Sequence, residues 1–182
     1  MTNLERFTPD YVTSTVEQWL ASSFVPASYR DKATGRVKEA DVALSCSYLA
    51  ALGLDPRTFF PQTFVVGARP GLLAEPQRVL ARMGGYDLEP VDYDEQHATV
   101  RGRRLPHGTW KAVTITYAQA VNAGWTERNP SYRTMPDRML LARACTFWIS
   151  QHAPEVKYGL NVADSAVLGD PAPDEQLGLP NV

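Results

Sequence analysis

Between residues 101 and 143 the chain carries eight basic side chains: Arg101, Arg103, Arg104, Lys111, Arg128, Arg133, Arg138 and Arg143. Only Glu127 and Asp137 oppose them, which leaves that segment at +6. Immediately before it, residues 87–95 hold five acids (Asp87, Glu89, Asp92, Asp94, Glu95) and no base. The overall net charge of −2 argues against a polyanionic partner. Local potential nevertheless attracts a polyanion more than net charge does. Guanidinium groups interleaved with Trp110 and Tyr132 suit phosphate neutralisation beside unstacked bases, while Trp125 and Trp148 are expected in the core. Ordinary surface charge that happens to cluster has the same composition.

Other chemistries lack their motifs. His97, His107 and His152 stand far apart without metal-ligand spacing, and no HExxH or Cys/His cluster is present. No GxxxxGK[ST] loop or GxSxG elbow occurs; the turn at 67–71 carries Pro70 where a phosphate cradle needs N–H groups. The acids of 87–95 match no EF-hand spacing. The expectation is therefore no catalytic residue, no metal and no cofactor. Cys46 and Cys145 sit in apolar helical contexts outside any CxxC pair, which reads as buried thiols in a reducing, cytoplasmic setting. No stretch has the roughly 18 apolar residues of a membrane span, and the first residues lack the order of a secretory signal.

Elements that position these side chains follow from periodicity. Val12, Val16, Trp19 and Leu20 form a helical stripe after Pro9-Asp10. A second helix runs over about 37–52, burying Val42, Leu44, Cys46, Tyr48 and Leu49, with Gly53 after its end. Phe64-Val65-Val66 reads as a short strand closed by a turn over 67–71, and a third helix covers about 75–83. A weakly alternating strand over 86–91 leads to a hairpin of strands 97–104 and 109–117, turning at Leu105-Pro106-His107-Gly108. Alternation sends Ala98, Val100, Val113 and Ile115 to the core and Arg101, Arg103, Trp110 and two threonines outward. That outer face suits a nucleic-acid backbone, or is an ordinary solvated face.

A short helix over about 117–123 ends at Gly124, and 125–134 reads as a loop that presents Tyr132 and Arg133. A strong helix spans Pro136 to His152, with Pro136 at N1 and Asp137 in the first turn. Arg138 and Arg143 on it are five residues apart, about 140° around the axis, so they share one groove only if their stems bend. The sum is one α+β domain over 1–162, a central antiparallel meander packed with helices, followed by a flexible acidic tail over 163–182.

Four stretches, in order, resemble the phage RecT-like single-strand annealing proteins. They are Leu20 to Pro26 with Tyr29-Arg30; Leu49 to Pro56 followed by Phe64 to Pro70; Thr114 to Gly124; and Tyr132 to Ala144 running into Pro154 to Leu160. Two departures stand out: Asp164-Ser165 replaces the family's usual Asp-Glu, and the longer C-terminal region that carries partner contacts is missing from this sequence. The resemblance implies a RecT/Redβ-like core that binds single-stranded DNA without sequence preference. It implies annealing of complementary strands without ATP, by a homo-oligomeric ring or filament that holds the duplex intermediate. A host single-strand binding protein or a phage exonuclease is the implied protein partner. The DNA-contacting expectation falls on Arg69, Arg101, Arg103, Trp110, Lys111, Tyr132, Arg133, Arg138 and Arg143. The competing reading is a phage-encoded interaction module or inhibitor that uses the same fold without annealing; no motif speaks for a hydrolase.

Overall fold

A computed structural model of the chain describes residues 7–66 and 69–157. The acidic tail expected over 163–182 lies outside the described residues. Helix α1 (Pro9–Leu20) starts where Thr8 Oγ1 accepts the Tyr11 N–H at 3.2 Å and Pro9 occupies the first turn. Helix α2 (Glu39–Ala51) and the short α3 (Pro56–Phe59) follow. Strands β1 (Thr63–Val66) and β2 (Arg69–Leu72) pair antiparallel, so part of the expected 67–71 turn is itself a strand. After α4 (Ala74–Met83) come β3 (Tyr86–Tyr93), β4 (His97–Arg104) and β5 (Lys111–Thr116), an antiparallel sheet in the order β3-β4-β5. The chain closes with α5 (Tyr117–Asn122), α6 (Trp125–Arg128), α7 (Ser131–Thr134) and α8 (Pro136–His152). The architecture is α+β, with helices over one face of a small antiparallel sheet.

Two differences from the periodicity have local causes. The segment 125–134 contains two helical turns, α6 and α7, too short to show a repeating apolar stripe. Leu44, expected in the core, is 42% exposed, because α2 buries Val42, Ser45, Cys46 and Leu49, a face that Leu44 does not share.

Helix α8 is the centre of the molecule. Every residue from Arg143 to Ile149 is buried, since α8 packs on β4 and β5 on one side and on α4 and α7 elsewhere. A helix covered all round loses the one-sided stripe of a surface helix. Its Trp148, 1% exposed, lies against β4 at Gly102. A Cβ on Gly102 would sit 2.5 Å from the indole ring and 2.9 Å from the Asp87 carbonyl. The indole N–H donates to the Lys111 carbonyl at 2.7 Å, and Tyr86 meets the ring edge-on with centroids 6.0 Å apart. One side chain thus ties α8 to all three strands.

A second anchor holds the amino-terminal half. Tyr29 is fully buried, with its hydroxyl 2.8 Å from Ser45 Oγ and 2.5 Å from Thr63 Oγ1. Burial pushes that hydroxyl's pKa up to about 12, so it stays a neutral donor. Phe60 lies 4.6 Å from the Tyr29 ring and 5.0 Å from Trp19, which joins α1, α2 and β1 in one cluster.

Gly102→Ala is expected to destabilise the fold by about 1–3 kcal/mol, the usual range for overpacking a full core. Urea denaturation with Ala112→Gly as an exposed comparison checks this, and an unchanged midpoint for Gly102→Ala would contradict the close fit.

Candidate nucleic-acid interface

On β4, residues 98, 100 and 102 face α8 while Thr99, Arg101 and Arg103 point to the other side. Ala98 and Val100 are fully buried and Ile115 is 4% exposed, as the alternation required. The opposite face is open to solvent: Thr99 and Thr114 share a hydrogen bond at 2.8 Å, and Ala112 and Thr114 are exposed. Trp110, just before β5, is half-buried because both arginines reach its ring. The guanidinium carbons of Arg101 and Arg103 each lie 4.6 Å from the Trp110 centroid. At exposed sites such cation–π contacts contribute about 0.5–1 kcal/mol each.

The acids of β3 share this face. Register places Glu89 opposite Arg101 and Asp87 opposite Arg103. Arg101 Nε donates to Glu89 Oε1 at 2.6 Å and its Nη2 lies 2.5 Å from the same oxygen. Arg103 Nη2 is 3.9 Å from Asp87 Oδ2, beyond a hydrogen bond, and its Nε is buried with no hydrogen-bond partner. The separation of acids and bases along the chain is therefore undone in space: the antiparallel turn folds one run onto the other. With side chains 47% and 42% exposed, the Arg101–Glu89 pair is screened and worth about 0–1 kcal/mol.

The remaining acids of that run organise the β3–β4 turn. Asp94 Oδ1 accepts the backbone N–H of Gln96 at 2.7 Å and of His97 at 2.9 Å, which holds the Asp94 carboxyl below its ordinary range. Asp92 and Asp94 oxygens lie 3.1 Å and 3.0 Å from the two ring nitrogens of His97.

The other expected contact residues do not gather on the sheet face. Lys111 pairs with Gly102, which faces Trp148, so Lys111 belongs to the helix-covered side at the sheet margin. Burial first, and the Lys111 charge second, hold the His152 pKa below its usual value. Arg69 is exposed on β2, in the separate two-stranded sheet. Tyr132 is 0% exposed, a core ring 6.4 Å from Trp125, and cannot stack on a base from there. Arg143 is 9% exposed, with its guanidinium 4.1 Å from the Trp125 centroid. It braces α6 against α8, which corrects its expected role as a surface phosphate contact.

Arg133 and Arg138 are exposed, and among the described residues neither forms an ion pair. Arg133 lines a shallow depression of about 280 Å³ with Glu95, Gln96, Tyr117, Tyr132 and Pro136. It adjoins the end of the sheet, where the Tyr117 N–H donates to the Gln96 carbonyl at 2.7 Å. Sequence reasoning missed Asp87 and Glu89 as partners of the arginines; antiparallel register was the signal that could have found them. It also missed Gly102, visible as the one position on the inward set of β4 without a side chain.

No group of three or more His, Cys, Asp or Glu side chains that could hold a metal ion occurs among the described residues. No described helix is long and apolar enough to cross a membrane.

Arg143→Glu is expected to lower stability by on the order of 3 kcal/mol, because a buried stacked cation is replaced by an uncompensated anion. Arg133→Glu and Arg138→Glu, both exposed, should stay within about 0.5 kcal/mol of the parent. Thermal melts of the three variants decide it; three equal melting temperatures would return Arg143 to the surface. No protein-family model matches the chain, and comparison with curated proteins and with solved structures finds no match.

Proposed function

We propose that this protein binds single-stranded DNA without sequence preference and anneals complementary strands without ATP, as a RecT-like annealing protein. The observation that carries this reading is the open sheet face on which Arg101 and Arg103 flank the Trp110 ring beside the Thr99–Thr114 hydroxyl pair. Arginines held against the ring present donors to phosphate, and hydroxyls add sugar-phosphate contacts that carry no sequence information. One indole offers limited stacking, which leaves bases unpaired and exposed for a complement. Arg133 and Arg138 are exposed at the end of the sheet and the start of α8, away from the Arg101–Arg103 face, and offer further cations to a strand. The resemblance of four stretches to annealing proteins agrees with this reading and adds a homo-oligomer, the annealed duplex and a host or phage protein as partners, in the cytoplasm of a bacterial host.

A second reading rests on one specific observation: Glu89 and Asp87 neutralise the arginines of the sheet face. A charge-balanced face with an aromatic centre also fits a protein partner, as an interaction module without annealing would require.

Annealing of two complementary fluorescent oligonucleotides separates the readings. Acceleration without ATP, diminishing as salt rises, is expected, and Arg101→Gln/Arg103→Gln should slow it at least about tenfold by removing two charge-assisted contacts. No acceleration together with no binding to either strand would refute the DNA reading and favour a protein partner.

A further inference from the structure

We infer that Asp87 and Glu89 are internal competitors of the DNA phosphates, setting how tightly the sheet face holds a strand. This rests on the DNA reading of that face. Both carboxylates sit on the same side of the sheet as the arginines, one directly across from each. Glu89 occupies the Nε and Nη2 donors of Arg101, the two a phosphate would use. Asp87 stands 3.9 Å from Arg103 without taking a hydrogen bond. Side-chain exposures of 42% for Glu89 and 29% for Asp87 give water, and hence another anion, access to both pairs. When a carboxylate leaves, Trp110 still holds the guanidinium groups against its ring, so the arginines remain in place.

An arginine with its carboxylate beside it brings no net charge to the strand, and the phosphate keeps its condensed cation. Exchanging carboxylate for phosphate replaces one charge-assisted contact by another, so the contact opens and closes readily. A strand that must pair with a complement and then be released benefits from such weak, repeated holding. Asp87 and Glu89 are affinity-setting residues in this account, and the DNA contacts belong to their arginine partners.

The test is a titration of fluorescent oligothymidine with the full chain and with Asp87→Asn/Glu89→Gln, followed by anisotropy across about a fourfold rise in salt. The expected result is tighter binding at low salt and a log–log salt dependence steeper by about 1.4, from about 0.7 per phosphate newly neutralised. Over that salt range the variant should lose about sevenfold more affinity than the parent. Adding Arg101→Gln/Arg103→Gln to the variant should cancel both effects. Unchanged affinity and slope would overturn the inference, and so would weaker binding by a variant whose thermal melt matches the parent, since the carboxylates would then be positioning the arginines. If the double variant unfolds, Glu89→Gln alone carries the test with half the slope change. Absence of binding by parent and variants alike would overturn the DNA reading itself, an outcome the annealing assay registers independently.

Discussion

The contact between the Trp148 indole and the bare backbone of Gly102 governs the geometry of the sheet. A ring of this size removes on the order of 200 Å² from water, but only if its flat face can approach the strand. Any side chain at 102 would hold α8 away from β4, lengthening the 2.7 Å bond from the indole to the Lys111 carbonyl. With that bond β5 is tied to the helix; with the edge-on contact to Tyr86, so is β3. The open face inherits its order from this hidden one. Because the inward set of β4 is pinned to α8, the outward set is fixed in register, and Arg101 and Arg103 stand where Trp110 can meet both.

The same register decides the electrostatics. Charges along a chain describe a surface only when the fold keeps neighbours in sequence together, and an antiparallel turn does the opposite. Here it sets Glu89 across from Arg101 and Asp87 across from Arg103. The face that composition describes as basic becomes a row of ion pairs under an indole. Exposed pairs of this kind add little to stability. Their consequence lies in binding, because a guanidinium that already has an anion meets a second one by exchange.

How much was legible depended on the length of each pattern. Helix α8 declares itself by Pro136 at its start and an apolar run long enough to average over several turns, and its expected bounds, Pro136 to His152, are those observed. The strand 97–104 was equally clear, because Ala98 and Val100 alternate with polar neighbours. The short turns α6 and α7 were not, since four residues make a single turn with no repeat to detect. Arg143 illustrates a different failure. Its type suggests the surface, yet it lies on α8 about 140° from the exposed Arg138, on a side where Trp125 covers it. Tyr132 was misplaced for the same reason: a residue in an apparent loop is buried once that loop folds back over α8.

Local chemistry therefore settled the elements: alternation chose the inward and outward sets of β4, and helix-start residues placed α8. Those are properties of near neighbours, and near neighbours are adjacent in sequence. Tertiary structure alone decided which cations remain available, because that depends on what arrives across a strand or over a helix from elsewhere in the chain. Arg101 and Arg103 acquired carboxylates from β3, Arg143 acquired the Trp125 ring, and Arg133 and Arg138 stayed open. Stacking needs contact, and the attraction between exposed charges weakens with distance and is screened by salt over about 10 Å, so the availability of a charge is set by distance in space rather than separation along the chain.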